Sequence, residues 1–354
     1  MKKYIILIIL LNTAFLFPAK HPKNIIIMIG DGMGVAQVST SVLANPNSAF
    51  RLFKNTGFSI TYSANKLITE SAAGATALAT GFKTKNRSIS VDTNDKPLTT
   101  LFEVAKKKNM KSGVVVLCSV VDATPAAFTS HTPDRKNKYD IAHQILTSDC
   151  DVVIGGGQKY FRVDTSKDAF DADAFKSSLV KSGYSFYPTF DKLTHATGKK
   201  YFALLENEDL PKATERKYSL KDLVKKAIES LNESKTGFVL MIEGSQIDFA
   251  GHENNSQYMI DEVKDFAEAV GFVYDFASKD KETLVVVTAD HETGGTGITK
   301  GNTDGSNMEL SFLLKGHTAS MVPVFSFGPE SDKFTGIQQN SDIGKKLMNC
   351  VKGK

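Results

Sequence analysis

The stretch Met241-Ile-Glu-Gly-Ser-Gln-Ile-Asp-Phe-Ala-Gly-His252 closes an apolar run and indicates the fold. The run begins at Gly237, is apolar enough to be a strand buried on both faces, and is followed by Glu243, Asp248 and His252. A strand that delivers carboxylate and imidazole groups at its carboxyl end is typical of a metal site in an α/β protein. Asp248 and His252 are four residues apart, so on a helix they share one face and can bind one ion together.

Short apolar, β-branched runs recur along the chain and predict further buried strands. They are Asn24 to Ile29, Phe58 to Tyr62, Gly113 to Cys118, Asp151 to Ile154, Tyr201 to Leu205, Gly237 to Ile242, Thr283 to Thr288 and Pro323 to Phe327. The clearest amphipathic helical patterns between and after them are Leu98 to Asn109, Leu220 to Leu231, Gln257 to Ser278 and Asp342 to Val351. This alternation predicts an α/β fold, a three-layer α/β/α sandwich with a large, mostly parallel central sheet.

Composition and charge are typical of an ordinary globular enzyme. The 354 residues are 41% hydrophobic and 23% charged, which is enough to bury a large core. The net charge of +4 is spread over isolated lysines, so no nucleic-acid-binding surface is predicted. Cys118, Cys150 and Cys350 are widely separated and lack CxxC spacing, so at most one disulfide can form. Any metal is therefore expected to be held by oxygen and nitrogen.

The N-terminus has the pattern of a secretory signal peptide. Two lysines precede an apolar run from Tyr4 to Phe17, so residues 1–19 are predicted to be removed and the protein to be periplasmic or secreted, without a stable membrane span. An uncleaved anchor stays an alternative, because Phe17 is a poor residue two positions before a cut after Ala19. Residues 20–354 are predicted to form one domain, with a less regular peripheral insertion or cap at about 161–217.

Two more predicted strand ends carry possible metal ligands. Asp31 lies in Gly30-Asp-Gly-Met-Gly34 after the first strand, and Asp290-His291 follow the strand that ends at Thr288. A lone Gly-Asp-Gly would more often be a turn with a helix-capping aspartate. Three strand ends with such side chains favour a shared site, because the carboxyl ends of parallel strands meet at one edge of the sheet.

Ser71 is the candidate nucleophile. It stands in Thr69-Glu-Ser-Ala-Ala-Gly-Ala-Thr76, at the first turn of a predicted helix of small residues, where a helix N-terminus stabilises negative charge. The alternative is a simple helix cap. A serine nucleophile needs a base or a metal, and no Ser-His-Asp spacing stands out, so metal activation is the better candidate.

Asp122, Thr124 and Arg135 follow the strand that ends near Cys118. The first two offer the hard oxygen ligands that magnesium prefers, and a guanidinium matches two phosphate oxygens. The alternative is a turn closed by Pro125, with Arg135 in a surface ion pair. His317, isolated in a Gly-flanked polar loop, completes a set of imidazoles and carboxylates typical of catalytic zinc sites.

Together these segments resemble the alkaline phosphatase family, from about Asn24 to the C-terminus. The resemblance implies metal-dependent hydrolysis of small-molecule phosphate monoesters of broad leaving-group range, through a phosphoserine on Ser71 with Arg135 clamping the phosphoryl oxygens. It also implies two Zn²⁺ and one Mg²⁺. The implied ligands are Asp248, His252 and His317 for one zinc, Asp31, Asp290 and His291 for the other, and Asp31, Asp122, Thr124 and Glu243 for magnesium.

Two departures from the family pattern carry expectations. Phe249 stands where the family carries Lys, His or Trp near the phosphate, so phosphate affinity and turnover are expected to differ. The interval from Gly295 to Leu310 is short, so the large crown-like insertion of longer members is expected to be absent. Dimerisation through that element would then be weak or missing, and the protein is expected to be a monomer or a homodimer.

Two other functions remain open from the sequence. A phosphodiesterase of the same superfamily would keep the metal site, but a diester cannot present three equatorial oxygens to Arg135 and a magnesium-backed pocket. A non-enzymatic metal-binding or phosphate-scavenging protein would gain nothing specific from the Ser71 hydroxyl. The residue types do not distinguish zinc from cobalt.

Overall fold

The computed structural model describes residues 21–162 and 170–353. The predicted signal peptide lies outside these ranges, so it stays a prediction. Within them, no helix is both long and apolar enough to cross a membrane.

The central feature is one ten-stranded sheet in the order β14-β2-β13-β8-β1-β7-β3-β4-β6-β5. Within it β13 runs antiparallel to both of its neighbours, and the other pairings are parallel. The strands of the described chain are β1 (Asn24–Gly30), β2 (Asn55–Ile60), β3 (Lys111–Ser119), β4 (Val152–Gly156), β5 (Ser185–Phe186), β6 (Tyr201–Leu204), β7 (Phe238–Gly244), β8 (Thr283–Thr288), β9 (Glu292–Thr293), β10 (Gly297–Lys300), β11 (Glu309–Ser311), β12 (His317–Thr318), β13 (Val322–Phe327) and β14 (Gly336–Gln339).

Helices cover both faces of this sheet. The α-helices are α1 (Val35–Ala44), α2 (Ser71–Thr80), α3 (Leu101–Lys107), α4 (Ala123–Thr129), α5 (Lys138–Thr147), α6 (Ala172–Lys181), α7 (Phe190–Thr194), α8 (Leu220–Leu231), α9 (Gln246–Glu253), α10 (Ser256–Asp280) and α11 (Asn340–Lys352). Short 3₁₀ helices lie at Ala49–Leu52, Gln158–Tyr160 and Ser331–Phe334.

The alternation of side chains along β1 explains the three layers. Ile25, Ile27 and Ile29 face a core that includes side chains of α2, α3, α4, α5 and α11. Ile26 and Met28 face the opposite core, which includes side chains of α1, α8, α9 and α10. A strand that is buried on both faces must be apolar at every position, which is why β1 reads as a continuous run. The predicted α/β/α sandwich is confirmed.

Register aligns the strand ends that matter for the site. β1 lies between β7 and β8, and Ile29 pairs with both Glu243 and Thr288. All three strands run parallel, so the residues that follow them emerge at one edge of the sheet. This is the edge that the sequence predicted for the metal site.

The region predicted as an insertion or cap contributes to the sheet where it is described. β6 pairs in parallel with β4, and β5 pairs in parallel with β6 at the end of the sheet. Residues 205–219, between β6 and α8, contain no helix or strand and pass beside α9 and α10. Whether 161–217 is an insertion stays a prediction.

Candidate metal centre

A sharp turn after β1 brings three segments together. Gly32, next to Asp31, has φ +72°, and a Cβ there would lie 2.6 Å from the Thr293 hydroxyl and 3.0 Å from Asp248 Cα. Glycine suits both this left-handed backbone and this close approach. The Gly32 amide donates to Asp290 Oδ1 at 3.3 Å. The turn therefore contacts the segments that follow β7 and β8.

A pair of two-residue strands places His317 at the same edge. β12 pairs antiparallel with β9, so that His317 lies opposite Thr293. His252 approaches from α9, one helical turn after Asp248, and its Nε2 lies 3.2 Å from His317 Nε2. Two imidazole nitrogens this close are expected where both face one cation.

The donor atoms form two groups that share His291. One group is Asp248, His291 and His317, the other is Asp31, Asp290 and His291, and within each group the ligand atoms lie within 4.8 Å of one another. His291 Nε2 is 3.4 Å from Asp31 Oδ1 and 3.2 Å from Asp290 Oδ2. The second group is the set that the sequence predicted for one zinc.

His252 completes the set predicted for the other zinc. Its Nε2 is 3.3 Å from Asp248 Oδ2, and His317 Nε2 is 3.5 Å from Asp248 Oδ1. The opposite ring nitrogens are engaged elsewhere, because His252 Nδ1 donates to Lys315 O and His317 Nδ1 donates to Thr69 O at 3.0 Å. Such bonds to the outer nitrogen fix the ring orientation and leave Nε2 to coordinate.

Several buried oxygens in the site have no hydrogen-bond partner in the described part of the chain. They include Asp31 Oδ1, Asp290 Oδ2 and Thr124 Oγ1. Buried polar atoms are paired in the great majority of cases, so each of these oxygens requires an explanation. A bound cation supplies one, and imidazole nitrogens combined with carboxylate oxygens are donors that suit zinc. The residues present therefore fit the metals that the sequence implied.

Burial of like charges perturbs the acids of the site. Burial, and then repulsion from Asp290, raises the pKa of Asp31 well above its usual range. Burial, and then Asp248, raises the pKa of Asp290 to about 6. Burial also lowers the pKa of His291 well below its usual value, which keeps the imidazole neutral and able to coordinate. Bound cations would relieve the repulsion among the carboxylates.

Ser71 is the first residue of α2, as the sequence predicted. Its hydroxyl oxygen lies 3.3 Å from His291 Nε2, and the residue is buried. Glu70 is the N-cap and accepts hydrogen bonds from the amides of Ala72 and Ala73 at 3.1 and 3.0 Å. The cap fixes the start of the helix and with it the position of the Ser71 hydroxyl.

The small residues of α2 allow it to approach the metal-binding segment. A Cβ on Gly74 would lie 2.8 Å from the Asp290 carbonyl oxygen and 3.0 Å from Asp290 Cβ. Every residue of the helix is buried. The run of alanine and glycine in this helix is thus a packing requirement of the site.

Arg135 is held by two carboxylates. One guanidinium nitrogen lies 2.7 Å from Glu70 Oε2 and the other lies 2.9 Å from Asp122 Oδ1. Burial opposes the charge, but Asp122 and Glu70 raise the pKa of Arg135, so it stays cationic. A guanidinium fixed in this way keeps its planar fork in one orientation beside the Ser71 helix.

The third predicted ligand group combines the end of β7 with the start of α4. Glu243 is buried, and burial, followed by Asp122, raises its pKa to about 8. Thr124 lies in the first turn of α4, and Asp122 caps that helix through a 2.8 Å bond from the Ala123 amide. Asp122 also pairs with Arg135, so its carboxylate links Arg135 to the start of α4. Its predicted role as a magnesium ligand stays a prediction.

Comparison with known proteins shows the family of this chain. The alkaline phosphatase family model matches residues 22–311. The chain belongs to the alkaline phosphatase family. Alkaline phosphatase 3 of Bacillus subtilis is 31% identical, over 93% of this chain and 89% of that relative. The alkaline phosphatase of Escherichia coli K12 is 30% identical, over 92% of this chain and 85% of its own.

Solved structures agree with the sequence comparisons. The alkaline phosphatase of the Antarctic bacterium TAB5 is 36% identical and superposes with a TM-score of 0.87, over 95% of this chain and 100% of that one. A variant of that enzyme carries magnesium in its M3 site. The present alkaline phosphatase is a metal-dependent phosphomonoester hydrolase, as the sequence predicted.

Phe249 is the residue at which the sequence predicted a departure from the family pattern. It is partly buried and packs against both hydrophobic cores. It follows Asp248 directly on α9. Its predicted effect on phosphate affinity stays a prediction.

Two polar residues of this alkaline phosphatase were not foreseen as parts of the site. Gln37 is buried, and its amide donates to Glu292 Oε1 at 3.1 Å and to the Thr293 carbonyl at 3.0 Å, which holds β9. Glu70, which the sequence did not mark as a site residue, binds Arg135 at 2.7 Å. The position of Glu70 next to Ser71 in the sequence indicates that it lies near the site. Its pairing with Arg135 could not be predicted, because the two residues are far apart in sequence.

Proposed function

We propose that this enzyme hydrolyses small phosphate monoesters in two in-line steps through a phosphoserine on Ser71. The supporting observation is that Ser71 Oγ lies 3.3 Å from His291 Nε2, and His291 is the residue that belongs to both donor groups. In the first step the Ser71 hydroxyl loses its proton and its oxygen forms a bond to phosphorus, while the bond from phosphorus to the ester oxygen breaks and that oxygen takes up a proton and leaves as the alcohol. In the second step a water oxygen forms a bond to phosphorus, the bond from phosphorus to Ser71 breaks, and the Ser71 oxygen takes back a proton as inorganic phosphate is released.

The donor sets would hold two Zn²⁺ and one Mg²⁺. The proposed ligands are Asp248, His252 and His317 for the first zinc, Asp31, Asp290 and His291 for the second, and Asp31, Asp122, Thr124 and Glu243 for magnesium. When bound, the metal ions would neutralise charge on the attacking and leaving oxygens and favour ionisation of the Ser71 hydroxyl.

Arg135 is the proposed phosphoryl clamp. Its guanidinium is fixed by Glu70 and Asp122, so its charge is already oriented before substrate binds. Two phosphoryl oxygens would accept hydrogen bonds from it in a bidentate arrangement. Glu70 both caps the helix of Ser71 and orients Arg135, so it links the position of the nucleophile to that of the guanidinium.

Hydrolysis of diesters is the alternative reaction at this site. A monoester offers three non-bridging oxygens, whereas a diester offers two and must place a second leaving group beside Arg135. The burial of Ser71, with only 5% of its surface exposed, favours the smaller phosphoryl group. We therefore expect monoesters to be the better substrates.

A homodimer is the proposed assembly, with a monomer as the alternative. Phe58 and Ile337 are exposed and occupy paired positions of β2 and β14 at one end of the sheet. Tyr62 and Phe82 are also exposed apolar groups, and Lys83, next to Phe82, stacks on the Tyr62 ring. Exposed apolar patches of this kind are typical of protein interfaces. Light scattering distinguishes the monomer from the dimer.

A periplasmic or secreted location is proposed from the signal-peptide pattern of the sequence.

The deciding experiment compares an aryl phosphate monoester with the matched diester. Metal-loaded protein should turn over the monoester strongly, and Ser71→Ala or chelation should abolish that turnover. Ser341→Ala is a matched control, because this buried serine lies in the first turn of α11. Diester preference, or turnover that persists in Ser71→Ala, would refute the proposal.

A further inference from the structure

We propose that Gln246 and Tyr258, together with residues 206–219 (the clamp loop), position α9 and thereby set the affinity of the site for zinc. The inference rests on the proposed zinc ligands Asp248 and His252, which α9 carries. Gln246 and Tyr258 are positioning residues, since they act through the helix and not on the substrate.

Gln246 joins three segments at the start of α9. It is the first residue of the helix, two positions before Asp248, and it is buried. Its side-chain amide donates to the carbonyl of Leu210 in the clamp loop and, at 3.3 Å, to the carbonyl of Leu117 in β3. One side chain therefore fixes the ligand-bearing helix to the sheet and to the loop.

Tyr258 holds Gln246 in this orientation. Its hydroxyl donates to Gln246 Oε1 at 2.8 Å, so the amide oxygen is satisfied and the amide nitrogen must face Leu210 and Leu117. The Tyr258 ring lies under the clamp loop, with the Lys212 ammonium 3.9 Å from the ring centroid. Loss of the hydroxyl would remove the bond that selects this orientation.

Buried ionic contacts anchor the rest of the clamp loop on α10. The Ala213 amide donates to Glu262 Oε1 at 2.6 Å. Arg216, whose side chain is fully buried, donates to Asp265 at 2.6 Å and to the Pro211 carbonyl at 2.8 Å. A buried charged group of this kind is costly to leave unpaired, so the loop has little freedom to move.

The clamp loop also reaches the segment that leads to Asp122. Asp209 accepts a 2.8 Å bond from the amide of Ser119, and the Leu210 amide donates to Leu117 O at 3.0 Å. The loop thus contacts the end of β3 on one side and the start of α9 on the other. The start of α9 carries Asp248, and Asp122 follows the end of β3 by three residues.

This arrangement predicts a specific defect when the hydrogen bond between Tyr258 and Gln246 is removed. Groups that orient metal ligands from outside the coordination sphere typically contribute tenfold to a hundredfold to metal affinity. We expect Tyr258→Phe to weaken zinc binding by about tenfold, because the phenol is one step further from the metal than such groups. Excess zinc should restore kcat, since the ligands themselves are intact.

Chelator competition on the metal-free protein is the test. Tyr258→Phe should lose zinc affinity, whereas Tyr201→Phe should not. The Tyr201 hydroxyl is also a donor, to Lys226 O at 3.1 Å, but Tyr201 lies on β6, three strands away from β7 in the sheet. Gln246→Met, which removes the donors but keeps the volume, should resemble Tyr258→Phe and serves if that variant does not fold. Unchanged affinity in both Tyr258→Phe and Gln246→Met would overturn the inference.

A direct ligand variant separates this inference from the proposed function. Asp248→Ala should lose far more zinc affinity than Tyr258→Phe. If Asp248→Ala binds zinc normally, the proposed ligand set is wrong. If Asp248→Ala loses zinc affinity but neither Tyr258→Phe nor Gln246→Met does, the proposed ligand set is supported and the proposed role of Gln246 and Tyr258 is wrong.

Discussion

Gly74→Ala should lower catalytic efficiency while leaving the enzyme folded. The new Cβ would lie 2.8 Å from the Asp290 carbonyl oxygen, whereas ordinary contacts begin near 3.4 Å. Either α2 or the Asp290 segment must therefore move by about 0.6 Å, which is 3.4 minus 2.8. Overpacking of this kind costs about 1–3 kcal/mol, partly offset by the roughly 1 kcal/mol that alanine gains over glycine in a helix. The net change in unfolding free energy should stay below about 2 kcal/mol.

Catalysis should also suffer because the shift moves Ser71 relative to the Asp290 segment. A misplacement near 1 Å can cost about a hundredfold in rate, so we expect kcat/KM to fall by roughly tenfold to a hundredfold. Gly271→Ala is the matched control: it is also a mid-helix glycine, but its Cβ would meet only Ala49 Cβ at 3.4 Å. That variant should keep full activity and gain slightly in stability. Monoester kinetics and chemical denaturation measure both quantities, and a Gly74→Ala enzyme with normal kcat/KM would refute the reasoning.

Three further outcomes can be measured. Glu70→Gln should raise KM with little change in the melting temperature, because Arg135 loses a charged partner at 2.7 Å. Steady-state kinetics and thermal unfolding measure the two effects, and a lower melting temperature with an unchanged KM would contradict the prediction. Phe249→Lys should lower the inhibition constant of inorganic phosphate by adding a cation beside the site, and an unchanged constant would exclude that role. Burial raises the pKa of Glu262 to about 7, so the folded state stays protonated after the unfolded carboxyl ionises near 4.5. The contribution of Glu262 to the unfolding free energy should therefore fall by about 3 kcal/mol as pH rises from about 4.5 to 7. Denaturation measured across this range should show a smaller loss of stability in Glu262→Gln than in the wild type, and an equal loss would contradict this assignment.

The sequence carried most of the fold because buried strands and amphipathic helices have strong periodic signals. The predicted helix Leu220 to Leu231 matches α8 at both ends, and Gln257 to Ser278 differs from α10 by one or two residues. Ligands at the ends of β1, β7 and β8 were predictable because parallel strands place their carboxyl ends together.

Contacts that depend on short or distant pairings could not be predicted. β9 and β12 have two residues each, too few for any periodicity, yet their pairing places His317 in the site. The link between Glu70 and Arg135, like that between Gln246 and the clamp loop, joins residues far apart in sequence through single polar contacts. Such contacts leave no local pattern, because the residues at each end look like ordinary polar positions.

The neighbours of β1 also determine when the enzyme can fold. Ile25 pairs with Val239 and with Leu284, so the first strand finds its partners only after most of the chain has been synthesised. Sheets built from pairings this distant in sequence form slowly, since each contact must first close a long loop. A nascent chain that ends before His317 lacks β13 and β14, the two strands that pair with β2, and it also lacks part of the donor set. Catalytic competence is therefore acquired late in synthesis, and incomplete chains are expected to be inactive.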